Sequence, residues 1–276
     1  FWGIFNELLI TDGKTFQAYD NPVSFVKELD SLFKRLDPSR LTTFATCVDQ
    51  TNYLGCADLM AWNKYFNWND GKQIGSFMDK VKANSQNYPV GVSEYGFGGS
   101  IYQHRCPVNE SEILLGRLHP EEFQTISHEK NWEALAGRSY LWAKFIWVFA
   151  DFQSVIRKEG DRDGINDKGL VTYDRQIKKD AFYFYKANWN TEPMLHLCDS
   201  RFTERFYSIT SIKAYTNLEA AILYVNGKKI GKMKRDKYNR VIWNNILLQP
   251  GENIIRIDAK NGKKIISESC VWTLKL

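Results

Sequence analysis

Apolar runs alternate with amphipathic segments along the first two-thirds of the chain. Asn21–Leu36 carries apolar residues at helical spacing, and Pro22 suits the first turn of a helix. Gln73–Asn87, Glu129–Leu141 and Ala181–Trp189 are also predicted to be helices, and strands are predicted at Phe1–Glu7, Leu41–Cys47, Leu59–Phe66, Val90–Glu94 and Trp142–Phe152. Strands that alternate with helices predict a parallel sheet and an α/β fold.

The spacing of the predicted strands favours a (β/α) barrel over an open sheet. A barrel of eight units uses about 31 residues per unit, and the strand ends recur at roughly that interval. The strands that precede the last helix at Ala181–Trp189 are too few to close such a barrel. A partial barrel would leave two sheet edges with unpaired backbone groups. We therefore expect this chain to need an N-terminal part of the barrel that it lacks.

After about Asn190 the pattern changes to short strands separated by turn residues. Val225–Lys228 contains Asn226-Gly227, which is a strong signal for a tight hairpin. Strands are predicted at Ser211–Tyr215, Ala220–Tyr224, Val241–Leu247, Asn253–Ala259 and Ser267–Leu274. This spacing is typical of an all-β immunoglobulin-like sandwich, which we place at residues 208–276, after a barrel portion at residues 1–195.

The composition excludes several classes of protein. Hydrophobic residues make up 43% of the 276 residues and charged residues 25%, as expected for a folded protein. The net charge is only +5, and the positive residues are scattered, which argues against a nucleic-acid partner. The longest apolar stretch, Tyr140–Phe152, is too short to span a bilayer, so no membrane partner is expected. The five cysteines form no CxxC pair, so the compartment stays open.

Aromatic residues make up 14% of the chain. Flat aromatic rings stack on the C–H faces of sugars, although a large aromatic core would produce the same composition. The aromatic content is therefore consistent with a carbohydrate ligand but does not by itself predict one.

Two carboxylates are predicted at the C-terminal ends of strands. Glu7 ends the first predicted strand and Glu94 ends the fourth. Barrel enzymes place their catalytic groups at these ends, and glycoside hydrolysis needs a pair of carboxylates. The pair therefore predicts a glycosidase, in which one carboxyl group protonates the leaving oxygen while the other attacks the anomeric carbon. Either glutamate alone would be read as an ordinary loop residue.

Several motifs around these glutamates resemble glycoside hydrolase family 2, the family of bacterial β-galactosidases and β-glucuronidases. They span nearly all of residues 1–190 and include Asn6-Glu7, Trp62-Asn63-Lys64-Tyr65-Phe66, Ser93-Glu94-Tyr95-Gly96, Trp147–Phe152 and Gly164–Arg175. The resemblance implies that the chain holds strands 4–8 of a TIM (β/α)8 barrel, followed by the immunoglobulin-like sandwich. It implies a retaining exo-β-glycosidase that works by double displacement, with Glu94 as the nucleophile and Glu7 as the acid and base.

The resemblance also assigns roles to residues that contact the substrate. Tyr65 would hydrogen-bond the nucleophile, Asn6 would bind the sugar 2-hydroxyl, and Trp147 would stack under the sugar ring. Asn63 could contact the sugar or satisfy backbone groups at the strand end. Trp62 and Trp68 are further candidates for stacking.

The identity of the sugar depends on Asn166 and Lys168. In β-glucuronidases of the family, an Asn-x-Lys pair binds the sugar carboxylate, and the Lys supplies the opposite charge. Asp167, between them, would weaken that positive field, and the surrounding segment also resembles β-galactosidases. The sequence alone favours a terminal β-D-galactoside, with a β-glucuronide as the alternative and a non-catalytic carbohydrate-binding fragment as the alternative from another class.

No cofactor and no metal site is predicted. The four histidines have no metal-binding spacing, and Leu9 stands where some β-galactosidases of the family place a magnesium-binding histidine. The resemblance implies a bacterial enzyme with a carbohydrate substrate, and its compartment is either the cytoplasm or the periplasm. The sequence does not decide whether the protein forms a homo-oligomer.

Overall fold

The structure is a computed structural model that describes residues 1–7, 22–48, 53–67, 71–109 and 116–275. In these residues the fold is mixed α/β. The helices are α1 (Pro22–Leu36), α2 (Gly71–Asn84), α3 (Glu121–Ala136) and α4 (Asp180–Trp189). The strands are β1 (Trp2–Asn6), β2 (Thr42–Thr46), β3 (Leu59–Asn63), β4 (Val90–Glu94), β5 (Leu141–Lys144), β6 (Phe152–Gln153), β7 (Ile165–Asn166), β8 (Leu195–Leu197), β9 (Glu204–Arg205), β10 (Ile209–Thr216), β11 (Ala220–Val225), β12 (Lys228–Lys234), β13 (Arg240–Leu247), β14 (Gly251–Asn261) and β15 (Lys264–Leu274).

The chain divides into two compact units, Phe1–Phe97 with Lys130–Val148 and Gly98–Glu129 with Phe149–Leu276. None of the helices within the described ranges is long and apolar enough to cross a membrane.

The first unit is built on a parallel sheet with the strand order β1-β2-β3-β4-β5. Its central strands β2, β3 and β4 are buried along most of their length, with Phe44, Met60 and Val92 all buried. Strands of that kind suit a parallel sheet covered on both faces. The predicted alternation of strands and helices is confirmed here, and every strand ends at the same edge of the sheet.

Two irregularities interrupt the strand pairing just before the predicted catalytic residues. Between β1 and β2, the pairing shifts between Gly3 and Asn6. Between β3 and β4, Trp62 pairs with Val92 but Asn63 pairs with Glu94, so Ser93 is an extra residue. Such bulges bend a strand and turn its side chains to new directions, and they are common beside active sites.

The second unit contains two sheets that share one hydrophobic core. One sheet has the order β13-β10-β8 and the other has the order β12-β11-β14-β15-β9. The core residues alternate with exposed ones along the strands, as expected for a sheet buried on one face. The buried set includes Leu197, Ile212, Ala214, Leu223, Val241, Trp243, Ile255, Ile257 and Trp272.

The predicted hairpin joins β11 to β12. Asn226 and Gly227 both have positive φ, at 51° and 77°, which is the backbone of a type I′ turn. Asn and Gly tolerate this conformation better than other residues. The local sequence therefore determines the turn.

Two predicted elements have different bounds in the structure. The helix predicted at Glu129–Leu141 is α3, Glu121–Ala136, and its first half carries buried polar residues such as Gln124 and His128. Apolar periodicity cannot detect a helix that is buried through polar side chains. The strand predicted at Trp142–Phe152 is shorter in the structure, where β5 is Leu141–Lys144. After it, the backbone N–H groups of Phe145 and Trp147 still donate to the carbonyls of Val92 and Tyr95.

Candidate active site

Glu7 follows directly after β1. Its N–H donates to the Ala45 carbonyl on β2 at 3.0 Å, and its φ of 50° lies in the left-handed region. A non-glycine residue there costs about 1–2 kcal/mol. Strained backbone of this kind is concentrated at functional sites, where the surrounding structure holds it in place.

Glu94 is the last residue of β4. The Tyr65 hydroxyl donates to its Oε2 at 2.6 Å, and the Lys64 N–H donates to its main-chain carbonyl at 2.9 Å. A hydroxyl that donates to a carboxylate favours the ionised form and fixes its orientation. The contact predicted for Tyr65 is present.

Asn63 connects Glu7 to β3. Its Nδ2 donates to Glu7 Oε1 at 2.8 Å and to Asn6 Oδ1 at 2.9 Å. Its Oδ1 accepts from the Ser93 hydroxyl at 2.6 Å. Asn63 is only 3% exposed, so its amide is held in one orientation and holds the Glu7 carboxylate in turn.

Both glutamates are thus held by one short segment of the chain. Asn63 contacts Glu7, and Tyr65, two residues further on, contacts Glu94. In extended backbone residues two apart point to the same side and are about 7 Å apart. The two carboxylates therefore converge on the same edge of the sheet, where one could protonate a leaving oxygen while the other attacks.

Cys47 lies between the two carboxylates, after β2. Burial raises the pKa of its thiol, and the negative charges of Glu7 and Glu94 raise this pKa further. The thiol is therefore neutral at neutral pH.

The aromatic candidates differ in their environments. Trp147 is half-buried. Its backbone N–H donates to the carbonyl of Tyr95, the residue after Glu94, at 2.9 Å. Trp62 is fully buried, and its indole N–H donates to the Val48 carbonyl at 3.1 Å, so it belongs to the core. Trp68 and Leu9 lie outside the described residues.

Asn166 and Lys168 lie in the second unit. The Asn166 side-chain oxygen accepts from the Lys168 N–H at 3.1 Å, which ties the two residues into one turn. The Lys168 ammonium lies 3.5 Å from a Glu159 carboxylate oxygen. The pair therefore has a defined local geometry, and its contact with a sugar carboxylate stays a prediction.

The Asp167 carboxylate contacts His119, a partner that the sequence analysis did not predict. Its carboxylate oxygens lie 2.8 and 3.0 Å from His119 Nδ1. Its carbonyl accepts from the buried Lys179 ammonium at 2.9 Å. Asp167 is thus engaged within the protein, and it weakens the field of Lys168 less than a free carboxylate would.

Two glycines leave space for the contact between Asp167 and His119. A Cβ at Gly98 would lie 2.3 Å from His119 Nδ1 and 2.5 Å from Asp167 Oδ1. A Cβ at Gly160 would lie 2.3 Å from Asp167 Oδ2. Both distances are shorter than real Cβ contacts, so a side chain at either glycine would displace the Asp167 carboxylate or the His119 ring.

Sequence reasoning did not identify Ser93 or Cys47 as part of the site. Ser93 is adjacent to Glu94, but its contact with Asn63 depends on the bulge in β4. No group of three or more His, Cys, Asp or Glu residues that could hold a metal occurs in the described parts of the chain.

Replacing Tyr65 with Phe removes one hydrogen bond to Glu94. A hydrogen bond to a charged group contributes about 1.5–3 kcal/mol, so we expect Tyr65→Phe to lower kcat about tenfold to a hundredfold in the intact protein. Steady-state hydrolysis of an aryl β-glycoside measures this effect. Tyr207→Phe, at an exposed tyrosine, is the control, and equal rates for both variants would contradict the role of Tyr65.

Comparison with known proteins relates the chain to one group of enzymes. A β-glucuronidase from Bacteroides fragilis is 42% identical over 275 residues, which are 98% of this chain and 38% of that protein. The β-galactosidase BoGH2A from Bacteroides ovatus is 24% identical over 264 residues, 90% of this chain and 30% of that protein. The model of a domain of unknown function, DUF4982, matches residues 208–266.

A solved structure has the same fold. The crystal structure of an FMN-binding β-glucuronidase from Faecalibacterium prausnitzii L2-6 matches with a TM-score of 0.82 and 31% sequence identity. The match covers 93% of this chain and 39% of that chain. The chain thus spans well under half the length of each of these proteins.

Proposed function

Because the chain belongs to glycoside hydrolase family 2, we propose that the protein that carries it is a retaining exo-β-glycosidase acting on terminal β-glucuronides. The observation that carries the proposal is the convergence of Glu7 and Glu94 on the segment from Asn63 to Tyr65. The sequence favoured a β-galactoside, and the alternative, a β-glucuronide, fits the relatives better.

The proposed reaction has two steps. In the first, Glu94 attacks the anomeric carbon while Glu7 protonates the departing glycosidic oxygen, which leaves a covalent glycosyl-enzyme. In the second, Glu7 takes a proton from water, the water oxygen attacks the anomeric carbon, and the bond to Glu94 breaks. Two inversions give net retention of configuration.

The neighbouring side chains have supporting roles in this proposal. Tyr65 keeps Glu94 ionised and directed at the anomeric carbon. Asn63 holds Glu7 and Asn6 in place, and Asn6 binds the sugar 2-hydroxyl, a contact that strengthens in the transition state. Trp147 stacks under the sugar ring.

We also propose a finer description of the fold. The five parallel strands of the first unit are strands 4–8 of a TIM (β/α)8 barrel, whose active site lies at the carboxyl ends of the strands. The two sheets with a common core are an immunoglobulin-like sandwich, which the sequence placed at residues 208–276. Because β8 pairs with β10 and β9 pairs with β15, these sheets already begin at Leu195, where the barrel portion ends. The substrate is a carbohydrate.

Two observations favour a glucuronide. A relative with 42% identity over almost the whole chain is named a β-glucuronidase. In addition, Asn166 and Lys168 are joined by a hydrogen bond, so an ammonium and an amide are presented by one rigid turn. A charged hydrogen bond from Lys168 would hold a uronate carboxylate. The name of the Bacteroides ovatus relative keeps a β-galactoside as the second candidate.

Replacing Lys168 with Ala distinguishes these two substrates. We expect Lys168→Ala in the intact protein to lower kcat/KM for an aryl β-glucuronide about tenfold to a hundredfold, because a charge-assisted hydrogen bond is lost. Hydrolysis of the matching β-galactoside should change little, since that sugar has no carboxylate. Lys229→Ala, at an exposed lysine of β12, is the control. Equal losses on both sugars would mean that Lys168 does not recognise the carboxylate.

A further inference from the structure

The second unit contains a cavity that the proposed reaction does not use. Its volume is about 140 Å³, room for on the order of ten water-sized spheres. That space matches a single pyranose ring and is too small for a larger ligand, which needs about 300 Å³ or more. The side chains that matter for recognition are Tyr102, Asp151, Asp161, Arg162, Tyr173 and Asp174.

Two tyrosines supply apolar surface at this cavity. Tyr102 is 72% exposed and Tyr173 is 48% exposed, which is unusual for large rings that could be buried. Rings at a small cavity with polar groups beside them are typical of ligand sites. Each ring can pack against the C–H face of a sugar.

Asp151 supplies a fixed acceptor. It is 7% exposed, and its Oδ1 accepts from the Lys179 ammonium and from the Gly169 N–H, both at 2.8 Å. Its Oδ2 has no partner among the residues that the structure describes. Asp151 lines the cavity, and a carboxylate oxygen accepts from hydroxyl groups, so a sugar hydroxyl in the cavity can donate to it.

The charges around the cavity select among possible ligands. Asp151 pairs with Lys179, and Asp161 lies 3.9 Å from Arg162, so the Asp174 carboxylate leaves an excess of one negative charge. This excess of negative charge disfavours an anionic sugar such as a uronate. Carboxylates accept well from hydroxyl groups, so a neutral sugar fits the lining.

We propose that this cavity binds one neutral pyranose unit of a glycan. The proposal extends the proposed function, on which it rests only for the expectation that the ligand is a sugar. It adds a binding site for a sugar other than the uronate that is cleaved.

The test uses the full-length protein that carries this chain, with Glu94→Gln to prevent turnover. Binding of methyl β-glycosides of glucose, galactose, mannose and N-acetylglucosamine is titrated by saturation-transfer NMR, with methyl β-glucuronide as a comparison ligand. Calcium chloride is a second comparison ligand and is titrated by calorimetry. Tyr102→Ala and Tyr173→Ala are then introduced separately. Tyr207→Ala, at an exposed tyrosine of the same unit, is the matched control, and thermal melting checks that each variant folds.

We expect at least one neutral glycoside to bind saturably, with a Kd that rises about tenfold in each of the two cavity variants, since one aromatic contact contributes up to about 1.5 kcal/mol. The Tyr207→Ala variant should bind as the parent does. The proposal is overturned if no neutral glycoside binds, if the cavity variants bind it unchanged, or if only the glucuronide or calcium responds to these variants.

A separate assay distinguishes a failure of the proposed function from a failure of the proposed cavity site. The protein with Glu94 intact is tested on an aryl β-glucuronide, with and without Tyr102→Ala. A lack of turnover would count against the proposed function, whereas the NMR titration would still decide the cavity. Turnover of this small substrate should be the same in both proteins, because the proposed reaction does not use the cavity.

Discussion

Glu94→Gln should lower the hydrolysis of aryl β-glycosides by about 10⁴-fold or more while the protein stays folded. The amide cannot form the glycosyl ester, so the first displacement loses its nucleophile. Gln keeps the shape of the side chain and an oxygen to accept from Tyr65. The rate of aryl release and the melting temperature, measured on the same preparation, check this expectation.

Two further variants sharpen that experiment. Glu28→Gln changes an exposed glutamate of α1 and should leave the rate unchanged. Glu94→Ala makes space beside the anomeric carbon, where added azide can attack in place of the carboxylate. The product should be a glycosyl azide of inverted configuration, with the aryl alcohol released. A normal rate in Glu94→Gln would remove Glu94 from its role.

Glu7→Ala should affect substrates according to their leaving groups. A general acid contributes about 10²–10⁴-fold, and a poor leaving group such as an alkyl alcohol needs all of it. A dinitrophenolate departs without a proton, so the first step on that substrate should be nearly unaffected. The measurement is kcat/KM for a series of aryl and alkyl β-glycosides against the pKa of the leaving group.

Glu7 also accepts a hydrogen bond from Asn63, so a structural loss must be separated from a chemical one. Glu7→Gln keeps a side-chain oxygen that can accept from the Asn63 amide and removes only the acid. It should show the same steep dependence on the leaving group as Glu7→Ala. If every substrate loses the same factor in both variants, then Glu7 is not the acid.

The resemblance to glycoside hydrolase family 2 rests on short segments, and the relatives confirm it. Three of these segments, at Asn6-Glu7, Trp62–Phe66 and Ser93–Gly96, lie at the end of a strand, where the apolar run stops and a polar residue follows. Glu7 and Glu94 could therefore be located from the sequence alone. The preference for a galactoside was weaker, because it depended on Asp167, whose carboxylate is turned to His119.

Local sequence determined the features that depend on neighbours along the chain. The alternation of apolar segments produced the parallel strands, and Asn226-Gly227 produced the β11–β12 turn, because backbone preference and side-chain periodicity act over a few residues. The strand ends that carry Glu7 and Glu94 follow from the same periodicity.

Tertiary structure decided the features that join distant segments. The hydrogen bonds of Asn63 to Glu7 and of Tyr65 to Glu94 join residues 56 and 29 positions apart, and the bulge at Ser93 exists only against β3. The limits of α3 depend on polar partners far along the chain, such as Arg201, which binds Glu121. These contacts form only when the chain is packed, because each polar group takes the partner that packing brings within reach.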